Sequence, residues 1–189
     1  MYCVEAPQIF EEIIKKSRFI GVLSPCNSEA EAHSQLRQLH TDHASATHIA
    51  FAYRIKTPDG LIYRFHDAGE PTGTAGKPIY QHLEGKNLVN ALVAVIRYYG
   101  GIKLGAGGLT RAYGNTAKHV IETATLIPNI DWLTVPLNLD YKDLQALEYL
   151  LKKINGHIIQ QDFTEQVKLL VQLPAEQLAV LTAAFPSHY

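Results

Sequence analysis

The sequence predicts an α+β protein built from two domains. Apolar residues alternate as in strands near the N-terminus, amphipathic helical stretches separate these strands, and Ile127-Pro128-Asn129 interrupts the helical stretch before it. At 189 residues the chain is long enough for two small domains. We therefore expect an N-terminal domain over residues 1–126 and a C-terminal domain over residues 127–189.

The composition is typical of a packed, water-soluble protein. Hydrophobic residues make up 47% and charged residues 19% of the chain, which excludes global disorder. Cys3 and Cys26 lack the spacing of a disulfide framework or a metal site, and the N-terminus lacks an export signal. No run approaches the roughly 18 apolar residues of a membrane span. These features predict a cytoplasmic protein without a membrane partner.

Charge gives nucleic-acid binding only weak support. The chain up to Leu126 contains 13 Lys and Arg residues and 11 Asp and Glu residues. From Ile127 onwards it contains 4 Lys and Arg residues and 7 Asp and Glu residues. A protein that neutralises many phosphates usually carries a plainly basic face. Local clusters of basic residues must therefore decide the question.

The first elements are a hairpin and a helix. Residues 8–14 and 17–24 read as two strands joined by a lysine pair. Ser28 and Glu31 form a capping box, which predicts a helix from Glu29 to about His40.

Several potential metal ligands follow this helix. His40 lies at the helix end, Asp42 and His43 in the turn, and His48 at a strand start, so no single element presents them together. Zinc sites usually offer closer ligand pairs. We expect neither a metal ion nor a cofactor.

A second hairpin follows, with a turn at residues 57–60. Ile49, Phe51, Tyr53 and Ile55 alternate with smaller or charged residues, as in a half-buried strand. We expect the apolar face to continue in Leu61, Tyr63 and Phe65. The outer face of this hairpin should then carry Arg54, Lys56 and Arg64.

Ten of the thirteen glycines lie between His66 and Gly114, in two loops flanking one apolar strand. Glycine permits positive φ and close backbone approach. The positions that we expect to shape the loops are Gly69, Gly73, Gly76, Gly100, Gly101, Gly105, Gly107 and Gly108.

The composition of the first loop favours a nest, in which successive backbone N–H groups bind an anion or a charged side chain. It contains Asp67, Glu70, Thr72, Thr74 and Lys77 within eleven residues, but it does not match the Walker A loop of P-loop nucleoside triphosphatases. In a purely structural interpretation, its carboxylates cap backbone amides.

The intervening strand, residues 88–99, should be buried on both faces. Arg97 near its end needs an acceptor, for which Asp67 and Glu70 are the candidates, so we expect a structural role for Arg97.

The second loop leads into a helix predicted from about Leu109 to Thr123. Free amides at a helix N-terminus attract anions, and Lys103 and Arg111 stand nearby. Tight packing of the helix on the strand explains the glycines equally well.

Beyond residue 127 the pattern reads strand, helix, strand, strand, helix, with the third strand predicted over Glu165–Leu173. This is the order of a ferredoxin-like unit that lacks its last strand.

Segments 69–78 (GEPTGTAGKP), 97–109 (RYYGGIKLGAGGL) and 111–114 (RAYG) closely resemble the IMPACT/YigZ family. Segments 15–20 (KKSRFI) and 46–48 (ATH) resemble its N-terminal motifs. The resemblance implies a ribosomal protein S5 domain 2-like N-terminal domain and a ferredoxin-like C-terminal domain. It also implies a connection with translation, because eukaryotic relatives act in translation control.

Our leading hypothesis is a non-enzymatic, translation-associated binding protein without sequence readout of DNA. It would contact RNA, the ribosome or a protein partner through Lys77, Lys103, Arg111, Thr72, Thr74, Arg54, Lys56 and Arg64. The alternative is a hydrolase or transferase that acts on a small anionic substrate, with Asp67 and Glu70 as acid and base. In a third interpretation, the loops only buttress each other through Arg97.

Overall fold

A computed structural model describes residues 1–163 and 166–186, and the chain divides into two compact units, Met1–Asn129 and Ile130–Tyr189. The strands are β1 (Tyr2–Val4), β2 (Gln8–Ile14), β3 (Ser17–Pro25), β4 (His48–Thr57), β5 (Gly60–His66), β6 (Ala91–Tyr98), β7 (Leu126–Pro128), β8 (Trp132–Leu139), β9 (His157–Phe163) and β10 (Val167–Pro174). The helices are α1 (Glu29–Asp42), α2 (Gly76–Gly85), α3 (Gly105–Glu122), α4 (Leu144–Lys153) and α5 (Leu178–Ala184). Within the described residues the protein is therefore α+β, with five α-helices and three antiparallel sheets.

The first unit is a five-stranded sheet with helices on both faces. Its strand order is β2-β3-β6-β4-β5, and all neighbours are antiparallel. Ile79 of α2 and Tyr113 of α3 join one apolar cluster with Ala50 of β4, whereas Leu36 of α1 joins another with Tyr53. Because the sheet is covered on both sides, its central strand β6 is apolar and buried along nearly its whole length.

The pairing of β4 with β5 corrects the expected hairpin. Tyr53 stands opposite Arg64, and Arg54 stands opposite Tyr63. Opposite residues share a face of an antiparallel pair, so Arg64 lies on the α1 side of the sheet and Arg54 on the α2 side. The prediction of one outer face carrying Arg54, Lys56 and Arg64 is therefore wrong, as is the prediction that β5 continues the apolar face of β4.

Helix α3 begins earlier than expected, at Gly105 rather than Leu109. Gly105, with φ of +71°, starts the helix, and Gly107 and Gly108 lie in its first turn. Burial of Leu109 and Tyr113 against the sheet holds the helix in place despite the weak helix propensity of glycine. The second glycine loop is therefore shorter than the sequence indicates.

Strands β1 and β7 were not predicted. They form a two-stranded ribbon in which Cys3 stands opposite Ile127. Each has only three residues, which is too short for a recognisable alternation. Because this ribbon ties residues 126–128 to the first unit, that unit extends to Asn129.

The second unit contains the sheet β8-β10-β9, whose neighbouring strands are antiparallel, and its chain order is strand, helix, strand, strand, helix. Leu147 of α4 and Leu181 of α5 join its apolar cluster with Leu137 and Val171. Glu165 of the predicted third strand and residues 187–189 lie outside the described residues. None of the helices in the described chain is long and apolar enough to cross a membrane.

Candidate functional site

An open cleft lies where β6 ends and α3 begins. It has a volume of about 430 Å³. Both glycine-rich loops and the start of β4 contribute to its lining, which consists of Thr47, His48, Glu70, Pro71, Arg97, Tyr99, Lys103, Leu104, Gly105, Ala106 and Leu109. The two loops that the sequence singles out therefore meet at one site.

Arg97 carries a buried positive charge in this lining. Its Nη1 donates to Glu70 Oε1 at 2.6 Å, and the two side chains are 7% and 4% exposed. The rings of Phe19 and Tyr99 lie near the guanidinium, with their centroids 5.6 and 5.4 Å from Cζ. Nε is buried without a hydrogen-bond partner. The ion pair with Glu70, one of the two expected acceptors, thus uses only one corner of the guanidinium.

Glu70 is held by a second donor. The hydroxyl of Tyr113 donates to Oε1 of Glu70 at 2.8 Å. Burial, followed by the nearby charge of Glu70, raises the pKa of Tyr113 far above its usual range, so the phenol keeps its proton. Glu70 is therefore anchored between two buried donors.

Asp67 faces inward and caps the first loop. Its Oδ2 accepts from the amide of Gly73 at 2.8 Å, and its Oδ1 accepts from the amides of Ala75 and Gly76 at 3.0 and 2.8 Å. Burial alone would raise the pKa of Asp67, but the three amide hydrogen bonds outweigh it and lower that pKa. Asp67 thus supplies at the start of α2 the cap that Ala75 cannot provide.

The N-terminus of α3 opens on the cleft. The residue before the helix, Leu104, has no side-chain acceptor for the first amides, and Gly105 and Ala106 line the cleft. The first amides of a helix have no intrahelical partner and carry partial positive charge. With Lys103 beside them, they favour an anion at this end of the cleft.

His48 places an imidazole ring in the lining of the cleft. Its Nδ1 lies 2.7 Å from the carbonyl oxygen of Ala68, and a carbonyl only accepts, so Nδ1 carries the hydrogen in this contact. In the neutral ring, Nε2 is then the acceptor.

The predicted contact residues of the glycine loops lie in different surroundings. Lys77, in the first turn of α2, is exposed, and so are Lys103, Arg111 and Thr72. Thr74 is buried, and its hydroxyl donates to the carbonyl oxygen of Pro71 at 2.6 Å. Thr74 therefore shapes the loop rather than facing solvent.

Arg54 is not on the surface. It is 6% exposed, and its Nη1 donates to the carbonyl oxygens of Leu83 and Leu88 at 3.2 and 3.0 Å. These carbonyls lie at and beyond the last turn of α2, where they have no helical donors. The expectation of an exposed Arg54 fails because the α2 side of β4 is covered.

Close backbone approach accounts for two of the glycines. A Cβ at Gly100 would overlap the backbone of Lys16 in the β2–β3 turn, and a Cβ at Gly76 would overlap the backbone of His66. The contact at Gly100 holds the turn against the end of β6.

Among residues 1–163 and 166–186, no three His, Cys, Asp or Glu side chains are close enough together to hold a metal ion. Of the histidines considered from the sequence, His43 bonds instead to the hydroxyl of Tyr98 at 2.8 Å.

Sequence reasoning missed two side chains of the site. Tyr113 lies within the helix predicted from about Leu109 to Thr123, and the sequence pattern could not show that its hydroxyl reaches Glu70. His48 was considered only as a potential metal ligand. The sequence did contain a signal for His48, because it belongs to segment 46–48, which resembles an N-terminal motif of the IMPACT/YigZ family.

Comparisons with known proteins agree with this architecture. The model of the Impact N-terminal domain matches residues 15–121, and the model of a domain of unknown function, DUF1949, matches residues 137–187. The IMPACT family member YigZ of Escherichia coli (strain K12) is 36% identical over 179 residues, which cover 94% of this chain and 88% of that protein.

Solved structures show the same similarity. A crystal structure described as that of a hypothetical protein superposes with a TM-score of 0.69 at 35% identity, over 97% of this chain and 89% of that one. A distant structural relative is the two-domain translational regulator Yih1, with a TM-score of 0.38 and 21% identity over 65% of this chain and 47% of that one. The two domain matches and the full-length similarity to YigZ show that this chain belongs to the IMPACT family.

Proposed function

We propose that this IMPACT family protein is a non-enzymatic, cytoplasmic protein that acts in translation by binding RNA, free or on the ribosome. The exposed cations of the two glycine-rich loops, Lys77, Lys103 and Arg111, make the contact with phosphates. We also propose the two folds that the family resemblance implies. The N-terminal domain is then ribosomal protein S5 domain 2-like, and the C-terminal domain is ferredoxin-like.

One observation carries this proposal: the acidic groups of the loops are engaged inside the protein, whereas the basic groups face solvent. Asp67 accepts three backbone amides, and Glu70 is paired with Arg97 and Tyr113. The surface of the loops is therefore more positive than their composition suggests, which favours a polyanion.

The same contacts give catalysis less support. A general acid or base must be free to exchange its proton with a substrate. Asp67 has a lowered pKa and three amide donors, and Glu70 is anchored in a buried ion pair. The alternative with Asp67 and Glu70 as acid and base would require both carboxylates to leave these partners.

The test is the affinity for a labelled single-stranded RNA, measured by fluorescence anisotropy at several salt concentrations. Changing Lys77, Lys103 and Arg111 together to alanine should weaken binding and reduce the slope of log K against log salt by about 2, since each single-strand phosphate contact contributes roughly 0.7.

A matched control removes three exposed lysines of the second unit, Lys142, Lys152 and Lys168. It makes the same change in net charge and should keep nearly the full slope. Undetectable RNA binding at low salt, or equal losses in the two triple variants, would overturn the proposal.

A further inference from the structure

We propose that the cleft at the N-terminus of α3 is a discrete site for a phosphate monoester on a small organic molecule of about mononucleotide size. This inference goes beyond RNA binding through surface cations, because a protein without affinity for a polynucleotide could still bind such a ligand.

The first argument is the unused edge of Arg97. The side chain is 7% exposed, and Nε is buried with no hydrogen-bond partner. The bond to Glu70 uses Nη1, so the Nε–Nη2 edge is not the one engaged. That edge presents two parallel donors, which match two oxygens of a phosphate. A buried donor without a partner is costly, and a ligand oxygen would relieve that cost.

The guanidinium is also held in place without a ligand. Phe19 and Tyr99 lie within 5.6 Å of its Cζ, and Glu70 fixes one corner. Glu70 lines the cleft as well, but its charge is balanced by Arg97, and its Oε1 accepts two donors. An incoming anion therefore meets a site whose carboxylate is already neutralised.

The second, independent argument is the start of α3. This helix has 18 residues, no side-chain cap at Leu104, and its first two residues in the cleft lining. Free amides and the helix dipole at such an end bind phosphate groups. Lys103 adds a full positive charge to the same lining.

The remaining lining decides the kind of ligand. Pro71, Tyr99, Leu104 and Leu109 are apolar or aromatic, and the volume of about 430 Å³ falls in the range of small-molecule sites. A free phosphate ion would leave this apolar lining unused. A phosphate that carries a ring or another apolar body would use both parts of the cleft.

The test is isothermal titration calorimetry of the full chain with AMP, adenosine and inorganic phosphate. AMP should bind at least about tenfold more tightly than adenosine, because only AMP reaches the charged end, and more tightly than inorganic phosphate, which lacks the apolar body. Equal affinities for AMP and adenosine, or no binding of AMP, would overturn the proposal.

Two variants of identical shape locate the site. Ala106→Asp places a negative charge in the first turn of α3, where an acidic residue is well tolerated, and Ala106→Asn places a neutral side chain of the same size there. AMP should bind about tenfold more weakly to the Asp variant than to the Asn variant. Equal affinities for the two would show that AMP binds elsewhere.

The final arm separates two sources of the same chemical group. A short RNA with a 5′-phosphate is compared with the same RNA without it. If the 5′-phosphate strengthens RNA binding by at least the factor that separates AMP from adenosine, the cleft is assigned to an RNA end; equal affinities of the two RNAs would assign it to a free small phosphate. The RNA without the phosphate reports separately on the surface cations, so failure of one proposal does not imply failure of the other.

Discussion

Arg97 both stabilises the fold, through its buried ion pair with Glu70, and lines the candidate cleft. It lies one residue before the end of the buried strand β6, so its charge must be balanced inside the protein, and Glu70 of the first loop provides the balance. Replacing Arg97 by methionine leaves Glu70 buried without a cation. We expect the free energy of unfolding to fall by about 3–5 kcal/mol, as measured by urea denaturation at pH 7.

The double variant Arg97→Met, Glu70→Gln is the control for this prediction. It removes both charges and should recover part of the lost stability. A single variant as stable as the wild type would contradict the account of the ion pair.

Asp67 should make stability depend on pH. Its pKa in the folded protein is lowered from the ordinary value of 3.8, so its contribution is fully present well above that value and is lost as the pH falls towards the folded pKa. The variant Asp67→Asn should be less stable than the wild type by about 1–3 kcal/mol at pH 7. Below about pH 4 the difference should shrink.

Urea denaturation of both proteins between pH 2.5 and 7 measures this difference. A gap that stays constant over the whole range would show that the carboxylate charge of Asp67 is not what the three amides stabilise.

Variants of Arg54 and Lys103 distinguish a cation that stabilises the fold from a cation that binds RNA. Changing Arg54 to methionine removes the donor to two carbonyls at the end of α2 and should cost about 1.5–3 kcal/mol of stability. The RNA affinity of this variant should stay close to the wild-type value, since the Arg54 side chain is buried. Lys103→Ala should show the reverse pattern, with weaker RNA binding and nearly unchanged stability.

At the scale of the elements, two glycines near the cleft should respond in opposite ways. Gly100→Ala forces a Cβ against the backbone of Lys16 and should destabilise the protein by about 3 kcal/mol or more. At Gly107 a Cβ would meet only Arg111 Nη1, at 3.8 Å, within the first turn of α3. Gly107→Ala should therefore raise stability by about 0.5–1 kcal/mol. Thermal unfolding of the two variants measures both effects, and a loss of stability in Gly107→Ala would contradict this account.

The elements also show where sequence reasoning succeeds and where it stops. The β2–β3 hairpin, α1 and the buried strand β6 follow from local patterns of capping residues and apolar residues. The turn at residues 57–60 was predicted as well, and it pairs Thr57 with Gly60, so that Leu61 and Tyr63 stand opposite Lys56 and Arg54. The predicted faces of this hairpin were therefore wrong although the turn already set the register.

The candidate site shows a similar division. The need of Arg97 for a carboxylate, and with it the proximity of the two glycine-rich loops, follows from the sequence because Arg97 is a charge near the end of a buried strand that runs between them. The choice of Glu70 over Asp67, and the second donor from Tyr113, depend on tertiary contacts that join residues 27 and 43 positions apart.

At the scale of the whole molecule, each unit has its own apolar core. The clusters of the first unit draw only on residues up to Leu126, and the cluster of the second begins at Leu133. A fragment of residues 1–129 should therefore unfold cooperatively in urea and keep its near-ultraviolet circular dichroism. A gradual, non-cooperative loss of signal would show that the first core is insufficient alone.

The central claim is that the exposed cations of the glycine loops bind RNA, and chemical-shift mapping tests it most directly. An unlabelled single-stranded RNA without terminal phosphates is titrated into the ¹⁵N-labelled full chain at low salt. The account predicts shifts of the backbone amides around Lys77, Lys103 and Arg111 that reverse when salt is added. Shifts confined to the second unit, or no shifts at any RNA concentration, would contradict it.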